Sequence, residues 1–172
     1  VCTLMVTMPG LPMFGHGQIE GYTEKYGMEF RRAYWNESPD QWLVERHKRE
    51  IFPILRKRYL FAGAENFYLY DFYSPEGHVN EDIFAYSNQV GDEKSLVIYH
   101  NKFADAQGWI KMSVGFAVKS GDSKSIQQKS LGEALGLNAA HDHFCIFKDS
   151  ITGLEFIRNS KDLYKQGLFV NL

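Results

Sequence analysis

An apolar step framed by proline and glycine near the start of the sequence constrains the fold most strongly. Residues 9–14 read Pro-Gly-Leu-Pro-Met-Phe, and the polar turn Gly15-His16-Gly17-Gln18 follows. This pattern predicts a chain turn, a short buried strand and a polar loop at the strand's carboxyl end. A strand of this length is not stable unless neighbouring strands pair with it. We therefore expect the chain to begin inside a larger structure.

Composition and charge exclude several classes of partner. The chain has 172 residues, is 44% hydrophobic and carries a formal net charge of -2. This length allows one domain, or one domain and part of another. The slight acidity gives no general attraction to nucleic acid or to anionic lipid, and no apolar run approaches the roughly 20 residues that span a bilayer. We expect no nucleic-acid partner, no membrane partner and no cofactor.

The two cysteines indicate a reducing compartment. Cys2 and Cys145 both lie in apolar runs, so we expect buried thiols and no disulfide framework. The opening residues lack the basic segment of a signal peptide. Together these features predict a cytoplasmic location.

Two parts of the chain differ in the spacing of their apolar residues. Residues 1–8 form an apolar run that fits a strand or the end of a helix, and residues 15–36 form a long loop rich in glycine and tyrosine. A helix then begins with Ser38 as N-cap and Pro39 at the first helical position, and Pro53 should kink or restart it. From Glu65 the apolar period changes to two, which indicates strands. We expect a boundary near residues 62–64 and two domains, 1–62 and 63–172.

The second domain is predicted to be an antiparallel β-sandwich. The strongest alternation places Ile110, Met112, Val114, Phe116 and Val118 on one face of a single strand. Residues 120–129 are polar and predict a mobile loop, and residues 131–137 favour one weak helical turn. A short helix is expected at 160–165, ended by Gly167. Strands are expected at 66–72, 83–88, 95–101, 109–118, 144–148, 154–158 and from 168 onward.

The Pro9-Gly10-x-Pro12 step, with its apolar residues, Gly15 or Gly17, and Gln18, resembles the last strand of the catalytic barrel in the α-amylase family, glycoside hydrolase family 13. The similarity continues through the Tyr26-Gly27-Met28-Glu29 segment, the long helix and the strand-rich tail. The resemblance implies that residues 1–8 end the seventh barrel helix and that residues 13–15 form the eighth strand. It also implies an α+β fold: the end of a (β/α)8 barrel followed by a C-terminal β-sandwich domain.

The resemblance places five candidate substrate-binding residues at the barrel rim. Active sites of such barrels lie at the carboxyl ends of the strands, and amides, carboxylates and imidazoles bind sugar hydroxyls in directed ways. The structural alternative is that glycines set the turn and polar groups cap it, which is equally plausible for Gln18 and favoured for Glu20. The candidates are His16, Gln18, Glu20, Tyr22 and Glu24.

Aromatic residues of the loop have two interpretations. Tyr22, Tyr26, Tyr34 and Trp35 provide faces on which sugar rings stack, but aromatic residues more often anchor a long loop to its own scaffold. We favour the structural interpretation for most of them.

Other motifs in the sequence predict no further chemistry. His141 and His143 share one face of an extended segment, but no third ligand has recognisable spacing, so we expect no metal. The basic runs at 46–49 and 56–58 are interrupted by Glu45 and Glu50 and indicate a solvated helix face.

The resulting functional hypothesis is a C-terminal fragment of an α-amylase-like glycosidase or transglycosidase acting on α-glucans. As the resemblance implies, the parent enzyme is a retaining hydrolase whose catalytic carboxylates lie on strands absent from this sequence, so the segment alone is expected to be inactive. Expected partners are an α-glucan or oligosaccharide and the missing N-terminal barrel portion or a second copy of the chain. A separate chain supplying the other barrel strands is a weaker variant. The alternative hypothesis is a non-catalytic β-sandwich module that binds carbohydrate or a partner protein.

Overall fold

The computed structural model describes residues 1–24, 32–121, 123–140 and 142–172, apart from the side chain of Ser120. The chain divides into two compact units, Val1–Ala62 and Gly63–Leu172. The first unit is helical in its regular parts and the second is mainly antiparallel β with short helices. The coarse prediction of an α+β chain with an antiparallel β portion is confirmed. No helix within the described ranges is long and apolar enough to cross a membrane.

Helix α1 (Cys2–Thr7) opens the first unit, and the chain becomes extended at Met8. A strand over residues 1–8, one of the two structures that the apolar run allowed, is therefore excluded. The guanidinium group of Arg58 holds this transition in place. Its Nη1 donates to the Val6 carbonyl at 2.9 Å, and its Nη2 donates to the Met8 carbonyl at 2.7 Å and also to the Gly10 carbonyl. The carbonyl groups that have no helical partner where α1 ends thus accept hydrogen bonds from a charged donor.

Residues 11–15 form neither helix nor strand in the described structure. The expected strand at Met13–Gly15 therefore lacks the ladder that defines one. Within the described ranges, no other segment of this unit pairs with it.

The long helix begins two residues later than predicted. Asp40, and not Ser38, is the N-cap, because the Asp40 carboxylate accepts a hydrogen bond from the Leu43 N–H at 3.2 Å. Helix α2 spans Gln41–Arg46 and is continued by a π-helical turn at His47–Ile51. Helix α3 (Phe52–Arg56), with Pro53 in its first turn, and helix α4 (Arg58–Ala62) follow.

The interruption at Pro53 agrees with the prediction that it kinks or restarts the helix. The wider π-helical turn before it changes which residues are buried. His47, Ile51, Leu60 and Phe61 are buried, whereas Tyr59 is 53% exposed.

The second unit is built on a five-stranded antiparallel sheet with the strand order β3-β2-β1-β4-β9. Two further sheets in the described residues are the two-stranded hairpins β5-β6 and β7-β8, so a second large sheet, as in a sandwich, is not among the described strands. The strands are β1 (Tyr68–Tyr73), β2 (Ile83–Val90), β3 (Glu93–His100), β4 (Gln107–Ser113), β5 (Phe116–Ser120), β6 (Ser123–Gln127), β7 (Phe144–Lys148), β8 (Glu155–Asn159) and β9 (Leu168–Asn171).

The segment that the sequence predicted as one strand, 109–118, is divided between β4 and β5, and β4 contains a β-bulge. Tyr70 pairs with Ser113 and Phe72 pairs with Ile110, so β4 contains one more residue than β1 between these pairs. Ile110 and Ser113 are therefore both buried, while Met112 is 37% exposed. The prediction that Met112 shares a face with Ile110 is wrong because the extra residue reverses the alternation.

The prediction of a loop at residues 120–129 is also wrong. This segment contains β6, which pairs antiparallel with β5 from Phe116↔Gln127 to Ser120↔Ser123. Gly121 adopts φ +59° in the connection. The side chains of this segment are mostly polar on both faces, so its sequence shows no alternation of apolar and polar residues. Backbone pairing between strands does not require such an alternation.

The core of this unit lies between the buried face of the sheet and two short helices, α5 (Leu131–Ala134) and α6 (Ser160–Lys165). Ser130 and Glu133 form a capping box on α5, and the Asn159 side chain caps α6. The core residues are Tyr68, Tyr70, Phe72, Ile83, Ala85, Ile110, Leu131, Ala134, Leu135, Leu163 and Leu168.

Neither cysteine is fully buried, which corrects the expectation of two buried thiols. Cys2 and Cys145 are free and partly buried. Partial burial raises the pKa of the Cys145 thiol, because the thiolate loses hydration there. Cys145 lies on β7. Cys145 and Phe147 contact the core, whereas the other three residues of this strand are exposed.

Candidate functional site

The Gly15–Tyr22 turn is a locally hydrogen-bonded structure. The Gly15 N–H donates to Gln18 Oε1 at 2.6 Å, and the Gln18 N–H donates to the Gly15 carbonyl at 3.3 Å. Gly21 and Tyr22 both donate their N–H groups to the Gly17 carbonyl. Gly17 has φ +74°, and a Cβ there would lie 2.6 Å from Tyr22 Cβ. Only glycine meets both requirements at this position.

Three of the candidate residues present polar groups on this turn. His16 and Gln18 are exposed and Glu20 is partly buried. Within the described ranges, the Gln18 carboxamide nitrogen and the Glu20 carboxylate have no hydrogen-bond partner. These groups have the donors and acceptors that hydroxyl recognition requires. The Gln18 oxygen closes the turn, which is the structural role that the sequence allowed, and sugar binding by Gln18 stays a prediction.

Tyr22 packs against His16. The two rings have centroids 5.6 Å apart and an interplanar angle of 48°. Tyr22 is partly buried. The contact brings two of the predicted site residues together and orients the imidazole from one side.

The backbone of Glu20 connects the turn to helix α2. Its carbonyl accepts a hydrogen bond from the Asp40 N–H at 2.8 Å. Asp40 is also the N-cap of that helix. The same residue therefore fixes the turn and the helix relative to each other within the first unit.

Glu24 anchors the loop through its side chain. Its two carboxylate oxygens accept hydrogen bonds from the N–H groups of Tyr34, at 2.8 Å, and Trp35, at 2.9 Å. A carboxylate engaged in this way holds the loop backbone. Substrate binding by Glu24 stays a prediction.

Glu37 is a second acidic residue that anchors the loop, and the sequence did not single it out. Its carboxylate accepts hydrogen bonds from the Thr23 hydroxyl at 2.6 Å, from the Thr23 N–H at 2.9 Å and from the Glu24 N–H at 3.0 Å. These donors, the hydroxyl first, hold the pKa of Glu37 below its usual value. Its spacing from Thr23 offers no short-range motif by which sequence alone would reveal the contact.

The two acidic anchors leave Tyr34 and Trp35 exposed. Their side chains are 73% and 59% exposed, respectively. The favoured interpretation of these aromatic residues as anchors of the loop stays a prediction. Tyr26 lies outside the described residues.

The described residues outside the turn add no further candidate centre. No group of three His, Cys, Asp or Glu side chains in the described ranges is arranged to hold a metal ion. His143 contacts Asp142 at 3.0 Å and Asn138 at 3.1 Å, and its predicted pair member His141 lies outside the described residues. The loop of the first unit is thus the best-defined candidate site.

Comparison of the chain with protein-family models, curated proteins and solved structures gave no match. The arguments that follow therefore depend on the residues and geometry described above.

Proposed function

We propose that this chain is the C-terminal part of an α-amylase-like enzyme that acts on α-glucans. In this proposal, residues 1–62 contribute a strand and helices to a catalytic (β/α)8 barrel, and residues 63–172 form the mainly antiparallel β domain that follows it. The parent enzyme is a retaining glycosidase or transglycosidase. Cys2 and Cys145, both unpaired, support a reducing, cytoplasmic setting.

The observation that carries the proposal is the state of residues 11–14. Leu11 is 91% exposed and Met13 is 78% exposed, although both are large apolar residues. Within the described part of the chain, no hydrogen bond involves the backbone of Leu11, Met13 or Phe14. Backbone with open donors and acceptors, next to solvated apolar side chains, is what a barrel strand has before its neighbours pair with it.

The position of the polar turn also supports the proposal. It directly follows residues 11–14, and active sites of (β/α)8 barrels lie at the carboxyl ends of the strands. His16, Gln18 and Glu20 then hydrogen-bond sugar hydroxyls, with Tyr22 supporting the His16 ring. We assign these residues to substrate binding and not to bond cleavage.

The loop carboxylates support the expectation that cleavage depends on residues outside this sequence. Retaining hydrolysis needs one carboxylate free to attack and one free to exchange a proton. Glu24 and Glu37 each accept hydrogen bonds from two or more loop donors. Using either carboxylate in catalysis would break the hydrogen bonds that hold the loop.

The test is to assay the chain alone and together with the remaining barrel strands of an α-amylase-like enzyme. We expect the pair to release reducing ends from soluble starch and the purified chain to release none. Met13→Asp should prevent association and lower the activity of the pair at least tenfold, because a buried unpaired carboxylate opposes strand pairing.

Ile126→Asp is the matched control, because Ile126 is a similarly exposed apolar residue, 73% against 78% for Met13, in the β5–β6 hairpin. It should leave activity unchanged. Starch hydrolysis by the isolated chain that persists through repurification would contradict the proposal. So would equal activity of the Met13→Asp and Ile126→Asp variants.

A further inference from the structure

The β7–β8 hairpin presents apolar side chains to solvent on one face. Cross-strand pairs of an antiparallel ladder share a face, and Ile146 pairs with Ile157. Ile146 is 58% exposed, Ile157 is 61% exposed, and Phe144, two residues before Ile146, is 64% exposed. The opposite face of β7 contacts the core through Cys145 and Phe147. Contiguous apolar side chains on an exposed surface indicate an interaction site.

The backbone of β7 is open along the edge that faces away from β8. The Asp149 N–H donates to the Leu154 carbonyl at 2.9 Å, and bonded and non-bonded pairs alternate along an antiparallel ladder. The N–H and carbonyl groups of Phe144, Ile146 and Lys148 therefore point away from β8. Within the described part of the chain, no hydrogen bond involves these backbone groups. Such an edge is a template for a further strand.

The β8 edge is less open than the β7 edge. The Ile157 carbonyl accepts a hydrogen bond from the neighbouring Arg158, whose Nη1 lies 2.9 Å away. The chain enters α6 directly after β8, and the Asn159 side chain caps that helix. The β7 edge is therefore the better of the two for pairing along its whole length.

The outward-facing residues of β7 match a second copy of the same strand. When two copies run antiparallel about a two-fold axis at Ile146, this residue lies opposite Ile146 of the second copy. Phe144 then lies opposite Lys148 of the second copy, so no two like charges meet. Each bonded pair exchanges two hydrogen bonds, so the three pairs give about six between the chains. The apolar face continues across the axis, because both hairpins present it on the same side.

We propose that β7 is a dimerisation edge, at which two copies of the chain form a four-stranded antiparallel sheet in the order β8-β7-β7-β8. The inference uses the second unit alone and is independent of the proposed function. The edge has 5 residues and is about 17 Å long. A contact of this length contributes less than the roughly 800 Å² that each partner buries in a standard interface. We therefore expect a dimer that dissociates on dilution.

Sedimentation velocity of the full chain over a concentration series tests the dimer. The apparent mass should rise with concentration from the monomer mass of 19.9 kDa toward twice that value. Ile146→Pro should weaken the dimer at least tenfold, because proline removes the N–H at the two-fold axis. The hairpin itself should tolerate the change, since this N–H is not bonded to β8.

Ile157→Pro is the matched control. Ile157 lies directly opposite Ile146, has a similar exposure, and also points its N–H away from the other strand of the hairpin. It should leave the dissociation constant of the dimer within about twofold. A second pair of variants avoids proline. Ile146→Lys places like charges opposite each other across the axis and should weaken the dimer, whereas Ile157→Lys should not.

Disulfide cross-linking tests the register of the paired strands. In a Cys2→Ser/Cys145→Ser background, Ile146→Cys places thiols on residues whose Cα atoms lie about 5.5 Å apart in the proposed pair. This separation suits a disulfide. Oxidation should give a covalent dimer of the Ile146→Cys variant. It should give none of Ile157→Cys, because the Cα atoms at that position are three strand spacings, or about 14 Å, apart.

Three results would contradict the proposal. The first is a chain that stays monomeric at every concentration. The second is equal weakening by the Ile146 and Ile157 variants, which would mean that the apolar faces pack on each other and the β7 edges do not pair. The third is assembly beyond a dimer, because strands paired about a two-fold axis form a closed contact. None of these results alters the starch assay of the joined barrel, so the proposed function stands or fails separately.

Discussion

Replacing Gly132 with alanine should destabilise the second unit although Gly132 lies in a helix. Alanine is favoured over glycine in a helix by about 1 kcal/mol. At this position, however, a Cβ would lie 2.6 Å from Cγ of Tyr164. The ring has little freedom to retreat, because Tyr164 Oη donates a hydrogen bond to the Leu137 carbonyl at 2.7 Å. Overpacking of this kind costs about 1–3 kcal/mol.

The destabilisation by overpacking should therefore exceed the gain in helix propensity. The net loss in the free energy of unfolding should be about 1 kcal/mol. Chemical denaturation with matched m-values measures this difference. Removing the Tyr164 ring should reverse the sign of the stability change. In a Tyr164→Ala background, Gly132→Ala should stabilise the protein. A Gly132→Ala variant that is more stable than the unchanged chain would refute the steric argument, and so would equal effects in both backgrounds.

Two further predictions concern the first unit. Asp40→Ala should lower the free energy of unfolding by about 1 kcal/mol in the same denaturation assay, because the cap of α2 is lost, whereas Ser38→Ala, at the position that sequence favoured, should have little effect. The hydrogen bonds that lower the pKa of Glu37 stabilise the loop fully above the ordinary value of 4.5, and this stability is lost as pH falls through the folded pKa. The stability difference between the unchanged chain and Glu37→Gln should accordingly shrink from pH 6 to pH 3, and a constant difference would contradict this assignment.

Strands with clear alternation and distinct ends were predictable from sequence. The strand at Phe144–Lys148 and the helix at Ser160–Lys165 have the predicted bounds. Gly167, with φ +81°, ends that helix region as expected. In these segments the local signals and the packing agree, so no tertiary contact alters the outcome.

The errors arise where a distant contact determines the local structure. The choice of Asp40 over Ser38 as N-cap depends on the link between Asp40 and Glu20, and the bulge in β4 depends on its pairing with β1. The polar strand β6 owes its existence to β5. Such contacts join residues that no period or short motif relates.

Only part of the candidate site could be predicted from the sequence, because several of its contacts also join residues that are distant in sequence. His16, Gln18 and Tyr22 were found because they follow the Pro-Gly-x-Pro step directly in sequence. The role of Glu24 and the importance of Glu37 depend on the loop folding back on itself. Sequence reasoning identifies residue types at a site more readily than the partners they bind.

The bulge in β4 allows this strand to lose one residue without changing which side chains face the core. Lys111 is exposed, so substitutions there are tolerated. Deleting Lys111 would leave one residue between Ile110 and Ser113, as there is one between their partners on β1, and both would still face the core. Among homologous chains, this stretch should therefore vary freely in composition and occur both with and without the extra residue.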